Sequence, residues 1–301
     1  MPGSFPRTYL RTAEMAMPPI DFNQAILDTA SNSGDLPLES SSPWEHYRRS
    51  ANDAWNLVLY MDRNVARVNH YSKPFDRHMS RLHGMALANL VGAFERFLKE
   101  LAVVCVNELS GFSLDGRLDE FSLKGSVAAA HFKAETVGNA LCEADTWLSC
   151  PRVNDKFRGL LADPFEAGGK FYVFPMKKGH GSEEELMRSR QISAIFQLRH
   201  TLVHNLGVIT ESDAIKLRQF LKSSVDGKKL LTPSSKNVRQ IKRLLDETAS
   251  DINKRMSLKL ASLMTTLHQD NYLSFDPSLK AQDLVAAFKC LVTVCGQTAT
   301  P

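Results

Sequence analysis

The sequence predicts an all-α protein. Three observations carry that expectation: apolar residues recur every three or four positions over long stretches, helix-start and helix-stop residues bound those stretches, and alternating strand patterns are nearly missing. The 301 residues are 43% hydrophobic and 23% charged, which suits a soluble globular protein with a sizeable core in one large domain or two smaller ones.

The elements follow in order. Residues 1 to about 43 contain Pro2, Pro6, Pro18, Pro19, Pro37 and Pro43 and the run Ser40-Ser41-Ser42, so this segment should be largely irregular, apart from a short helix over Phe22 to Ala30. Ser42 then offers a cap and Pro43 fits a first helical turn. Trp44, Tyr47, Ala51, Trp55, Val58, Leu59 and Val65 continue at helical spacing to about Asn69. A second helix is expected after Lys73-Pro74-Phe75-Asp76, with an apolar stripe of Leu82, Ala86, Leu90, Ala93, Phe94, Phe97, Leu101, Val104 and Cys105, ending at about Leu109 before Ser110-Gly111. Two such helices, antiparallel and joined by a short Pro-containing turn, would found a bundle.

Residues 111–185 form a mixed insertion. A helical stretch is expected from about Ser126 to Ser149 and another near Asp155 to Ala162. Lys170-Phe171-Tyr172-Val173-Phe174 has strand-like composition, and Met176 to Gly181 reads as a flexible basic loop. Ser182 with Glu183, Glu184 and Glu185 makes a capped, acidic start to a helix of about twenty residues closed by Gly207. Beyond Thr210-Glu211-Ser212-Asp213 comes a helix with Ile215, Leu217, Phe220 and Leu221. A long amphipathic helix from Ser234 to His268 follows, and a last helix from about Lys280 to Cys295. The domain plan is thus an irregular segment 1–43, a helical domain 44–224 carrying the insertion 111–185, and a helical extension 225–301 packed on the bundle.

Composition narrows function only slightly. A net charge of +4 permits nucleic-acid binding without demanding it. Cys105, Cys142, Cys150, Cys290 and Cys295 lack CxxC spacing and read as reduced core residues of a cytoplasmic protein. No secretory leader and no apolar run long enough for a membrane span is evident, so no membrane partner is expected. Neither a P-loop, a GxGxxG turn nor a serine-nucleophile elbow occurs, and no cofactor is expected.

The chemistry concentrates between Arg190 and Leu206, where Arg199, His200, His204 and Asn205 interrupt an otherwise apolar helix. A buried cation needs a partner and a buried imidazole needs a hydrogen bond, so packing alone explains these residues poorly. Arg199 and His204 are separated by about 7.5 Å along the axis and roughly 140° around it. His200 and His204 stand one turn apart on a common face. An arginine fork suits phosphate, and histidine exchanges a proton near neutral pH, so together they suggest phosphoryl chemistry.

The segment Arg199-His200-Thr201-Leu202-Val203-His204 resembles the Arg-x4-His motif of the HEPN superfamily of all-α ribonucleases and toxins, and Leu87 to Leu101, with Glu95 in an apolar setting, is similar to the long helix preceding that motif. The resemblance covers about His78 to Phe220, interrupted by the insertion. It implies a homodimer with the active site completed at the interface. It also implies metal-independent cleavage of an RNA substrate by attack of the ribose 2′-hydroxyl on the adjacent phosphate, in a toxin or anti-phage defence setting. Arg199 would stabilise charge on the phosphate and His204 would be the general acid or base. His200 and Asn205 would position them, and Glu95 would hold the Arg199 rotamer. Lys177 and Lys178 would contact RNA phosphates. In relatives controlled by nucleotidyltransferase partners a tyrosine lies two residues past the motif histidine; here Leu206 stands there, so an antitoxin or regulatory partner would act by another route.

Other readings remain open at the level of sequence. Arg199 would form an internal salt bridge and the histidines be satisfied where they stand, or His200 and His204 would be an i, i+4 zinc pair with no evident third ligand. The Lys177-Lys178 loop would be merely solvated, and Trp44, Trp55 and Trp147 fit packing anchors better than base-stacking platforms. A catalytically silent HEPN-like dimerisation or sensor scaffold is the alternative function.

Overall fold

Helix α1, Pro43–Tyr60, begins where Ser42 adopts an extended backbone and Pro43 occupies the first turn, although the Ser42 hydroxyl makes no capping hydrogen bond. It runs into a single π-helical turn, Met61–Val65. The structure is a computed structural model that describes residues 42–65, 73–109, 117–121, 137–143, 146–163, 171–269 and 276–301. The expected irregular N-terminal segment and its Phe22 to Ala30 helix lie outside these residues, as does the connection after Val65.

Helix α2, Lys73–Leu109, takes Pro74 into its first turn, where a proline's missing N–H is harmless. It lies antiparallel to α1: Trp44 meets Phe97, Tyr47 meets Phe94, and at the other end His83 Nε2 is 3.1 Å from Asp62 Oδ1. Most of the expected stripe is buried, with Ala86, Leu90, Phe94, Leu101 and Cys105 fully inaccessible, whereas Leu82 is exposed and Val104 half-buried. Phe94 also contacts Phe174 and Phe196, so α1, α2 and two later segments converge on one ring.

Three shorter helices and one long one follow: α3, Val137–Glu143; α4, Cys150–Leu160; α5, Glu183–His204; and α6, Glu211–Leu221. The helix expected from Ser126 to Ser149 is realised among the described residues only as α3, and residues 146–149 are not helical. Helix α4 starts earlier than the expected Asp155, because Ser149 turns extended and Pro151 supplies a first-turn residue. In the insertion, buried Lys156 donates to the Glu120 carbonyl at 3.0 Å and stands over the Phe121 and Trp147 rings.

Residues 171–174 are not a strand, which corrects the expectation from their composition. Their backbone is satisfied by side chains instead. Asn154 donates to the Phe174 carbonyl at 2.6 Å and accepts from the Phe174 amide at 2.8 Å, while Arg255 donates to the Tyr172 and Val173 carbonyls at 3.0 Å each. The basic loop that follows is likewise folded into a turn: the His180 amide donates to Lys177 O at 3.1 Å, and the His180 ring stacks on Tyr172 at 3.9 Å.

Helix α7, Ser235–Gln269, matches the expected long amphipathic helix and presents Leu245, Ile252, Met256, Leu260 and Leu267 to the core. Its Asp246 accepts from the Tyr47 hydroxyl at 2.8 Å, tying α7 to α1. A 3-10 turn, Pro277–Lys280, leads into α8, Ala281–Phe288. The expected last helix to Cys295 therefore ends early. Lys289 takes a left-handed φ of 50°, and strands β3, Val292–Val294, and β4, Gln297–Ala299, form a hairpin. A second two-stranded ribbon, β1, Val208–Ile209, with β2, Lys229–Leu230, frames α6. The protein is thus predominantly helical, in keeping with the all-α class, and among the described residues no helix is long and apolar enough to cross a membrane.

Candidate functional site

Helix α5 starts with a complete capping box. The Glu185 amide donates to Ser182 Oγ at 3.2 Å and the Ser182 amide donates to the Glu185 carboxylate at 2.8 Å. Those hydrogen bonds from Ser182 keep the Glu185 carboxyl below its ordinary range against the opposing effect of burial. From Ile192 to Gln197 every residue is buried, because one side of the helix faces the main core and the other packs, through Ala194, on Ile209, Ala214 and Leu217. The buried hydroxyls of Ser189, Ser193 and Thr201 return to carbonyls four residues earlier.

The polar residues appear where the helix leaves this packing. Arg199 is half-buried, and His200 and His204 are exposed, with ring centroids 4.8 Å apart and planes inclined by 39°. All three line one cleft of about 430 Å³. Its other walls are the Thr146 to Pro151 segment at the start of α4, Met176, and Lys216 and Phe220 of α6. Two fixed cations and two imidazoles therefore meet over an opening that, among the described residues, no carboxylate lines. Among the described residues neither Arg199 nor Lys216 is ion-paired, so the internal salt bridge open at the sequence level does not form there. Nor does a third nitrogen, sulfur or carboxylate donor join His200 and His204 among those residues.

Asn205 is fixed from behind. Buried Asp213 accepts from Asn205 Nδ2 at 2.9 Å, from Gln197 Nε2 at 2.8 Å and from the Thr210 amide at 3.0 Å. Burial alone would raise the Asp213 carboxyl, but the hydrogen bonds from Thr210 and Asn205 outweigh it and hold the group below its ordinary value. One carboxylate thus joins the end of α5 to the start of α6, which carries Lys216. In the sequence Asp213 marked only the approach to α6, and nothing there tied it to Asn205. Lys216 and the Thr146 to Pro151 wall carried no local signal.

The chain matches no family model, no curated protein and no solved structure. The site must speak for itself. Two expected members stand apart from it. Glu95 is half-buried on α2 but forms no ion pair with Arg199 among the described residues; on α2 it is Glu100, 2.6 Å from Arg96 Nε and 2.9 Å from His46 Nδ1, and Glu108, 3.6 Å from Lys280 Nζ, that are engaged. Of the α2 residues, Asn89 and Arg96 rather than Glu95 line a groove beside Arg199, which accounts for this correction. Lys177 and Lys178 are exposed and line no part of the cleft, although the preceding residue, Met176, does.

On its far side Arg199 also borders a shallower groove with Asp53, Leu57, Asn89, Arg96 and Val203. The surface beside it is apolar and open: Val203 is 45% exposed, Met85 64% and Leu206 84%. Helix α5 ends there with Leu206 at φ 50° and Gly207 at φ 84°, the latter's amide returning to Thr201 O at 2.9 Å.

Proposed function

We propose that the protein is a metal-independent endoribonuclease of the HEPN type, acting as a homodimer in a toxin or anti-phage defence setting. The observation that carries the reading is the convergence of Arg199, which makes no ion pair among the described residues, with His200, His204 and Lys216 on one cleft that no described carboxylate lines. Such a cleft favours an anion, and a phosphodiester fits its volume and donor set. Arg199 stabilises the charge that grows on the phosphorane-like transition state. His204 takes the proton from the 2′-hydroxyl or delivers one to the departing 5′-oxygen, the partner copy or His200 serving the complementary transfer. Asn205, held by Asp213, orients the phosphate or the His204 ring. Lys216 adds attraction for the backbone on either side of the scissile linkage. The reaction leaves a 2′,3′-cyclic phosphate and a 5′-hydroxyl, and DNA is inert because it lacks the attacking group.

The apolar rim formed by Val203 and Leu206 is where a second copy would dock, bringing two half-sites together across α5. The test is incubation of a mixed RNA pool in EDTA with wild type and with Arg199→Ala and His204→Ala variants. Cleavage by wild type and its loss in both variants is the expected result. Binding of RNA without cleavage under any condition would replace the reading with a catalytically silent scaffold on the same surface.

A further inference from the structure

Far along the chain from the Arg-x4-His helix, a second group of donors is assembled from three different elements. His268 lies in the last turn of α7, Asp276 caps the 3-10 turn, and Cys295 occupies the turn of the β3–β4 hairpin. A ring nitrogen of His268, a carboxylate oxygen of Asp276 and the Cys295 sulfur lie within 4.8 Å of one another. Among the described residues this is the one trio of His, Cys, Asp or Glu donors that close.

Several independent features point to a ligand here. Nδ1 of His268 is buried and has no hydrogen-bond partner, an expensive condition that a bound cation nearby relieves by fixing the ring's protonation and orientation. One Asp276 oxygen is committed to the Ser278 amide at 2.9 Å, which orients the carboxylate and leaves its second oxygen available. Cys295 sits at φ 49°, a conformation uncommon for a residue with a side chain, followed by Gly296 at φ 79°. Its amide is held by Thr265 Oγ1 of α7 at 3.0 Å, which fixes the turn against the helix end that carries His268.

We propose that His268, Asp276 and Cys295 bind a divalent transition-metal ion, Zn²⁺ by the chemistry of the donors, as a clamp on the C-terminal hairpin. One imidazole, one thiolate and one carboxylate make a mixed set that Zn²⁺ accepts in tetrahedral geometry, with water as the fourth ligand. Mg²⁺ and Ca²⁺ prefer all-oxygen shells. On binding, the Cys295 S–H bond breaks and its proton passes to solvent as the S–Zn bond forms, so no oxidant or reductant is involved. The ion joins the end of α7 to the 3-10 turn and to the hairpin, three elements otherwise tied by few polar contacts. This site is independent of the cleft on α5 and of the chemistry proposed there.

The test uses the full chain, stripped of metal and titrated with Co²⁺ and then Zn²⁺. The expected result is one Co²⁺ per chain, with a thiolate-to-cobalt charge-transfer band and the intense visible bands of tetrahedral Co²⁺, both abolished by an equivalent of Zn²⁺. Saturating Zn²⁺ should raise the unfolding midpoint by roughly 3–6 °C. Cys295→Ser should remove the charge-transfer band and weaken Zn²⁺ binding at least tenfold, whereas Cys290→Ser, whose thiol instead lies 3.1 Å from Ser257 Oγ, should leave both unchanged. His268→Ala should weaken binding similarly. A pale, octahedral spectrum without a thiolate band, or a band that survives in Cys295→Ser, would overturn the proposal.

Discussion

At the scale of single residues, the site divides into side chains that are available and one that is wholly committed. Arg199 makes no ion pair among the described residues, so its removal should leave the fold intact: Arg199→Ala should shift unfolding stability by less than about 0.5 kcal/mol in a denaturant titration. Asp213 is the opposite case. It is 2% exposed and accepts three hydrogen bonds from side chains and backbone of two helices. Asp213→Asn would set an amide donor against donors and should cost about 2–4 kcal/mol at neutral pH. Because its folded carboxyl titrates below the ordinary value, its contribution is complete above about pH 4 and is lost as pH falls through the folded value. The stability gap between wild type and Asp213→Asn should therefore be constant from pH 7 to about pH 5 and narrow only in stronger acid. A gap that instead closed near pH 6 would contradict this assignment.

At the scale of elements, the sequence told most where a helix had both a stripe and a terminus to announce it. The capped, acidic start of α5, the proline-opened α1 and the long α7 stripe were each readable from spacing and caps, whereas α2 was expected only after Asp76 and begins at Lys73. Two elements were not, for physical reasons. Phe171 to Phe174 has the composition of a strand, but its hydrogen-bonding groups are taken by Asn154 and Arg255, residues 17 or more positions away that no local pattern links to it. The last helix stops at Phe288 because Lys289 turns left-handed and the chain reverses at Cys295 and Gly296, whereas its apolar content alone suited a longer helix. The site showed the same split: Arg199, His200 and His204 were visible as polar residues in an apolar helix, while Lys216, Asp213 and the Thr146 to Pro151 wall come from elements that only folding brings near. Asn154→Ala tests this account of the insertion. It should destabilise the protein by about 2–4 kcal/mol through two orphaned backbone groups, loosen Met176 at the cleft wall, and raise amide hydrogen exchange at Phe174 above that of α5.

At the scale of the molecule, α5 is clasped between the main core and α6 in its middle, from Ile192 to Leu198, and its last two turns emerge beside an open apolar rim. Leu206, beside the motif, is 84% exposed and so buries little apolar surface in one chain. Under the proposed function it is the place where a second copy would dock on the same helix end. Leu206→Asp, which keeps a residue tolerant of the left-handed backbone, should leave the unfolding midpoint of the chain within a few degrees while converting a dimer to a monomer in sedimentation and lowering cleavage at least tenfold. A chain that sediments as a monomer before the substitution, with and without RNA, would remove the shared interface from the account.

The central claim is that one guanidinium and one imidazole act on an RNA linkage whose own 2′-hydroxyl is the nucleophile. The measurement that reaches it most directly takes an RNA cleaved at a single position and compares it with the same strand carrying one 2′-deoxynucleotide there. The account predicts a cyclic-phosphate end from the first strand and complete resistance of the second, in EDTA, with no product from His204→Ala on either. Cleavage of the deoxy-substituted strand at that position, or a linear 3′-hydroxyl product from the first, would contradict it.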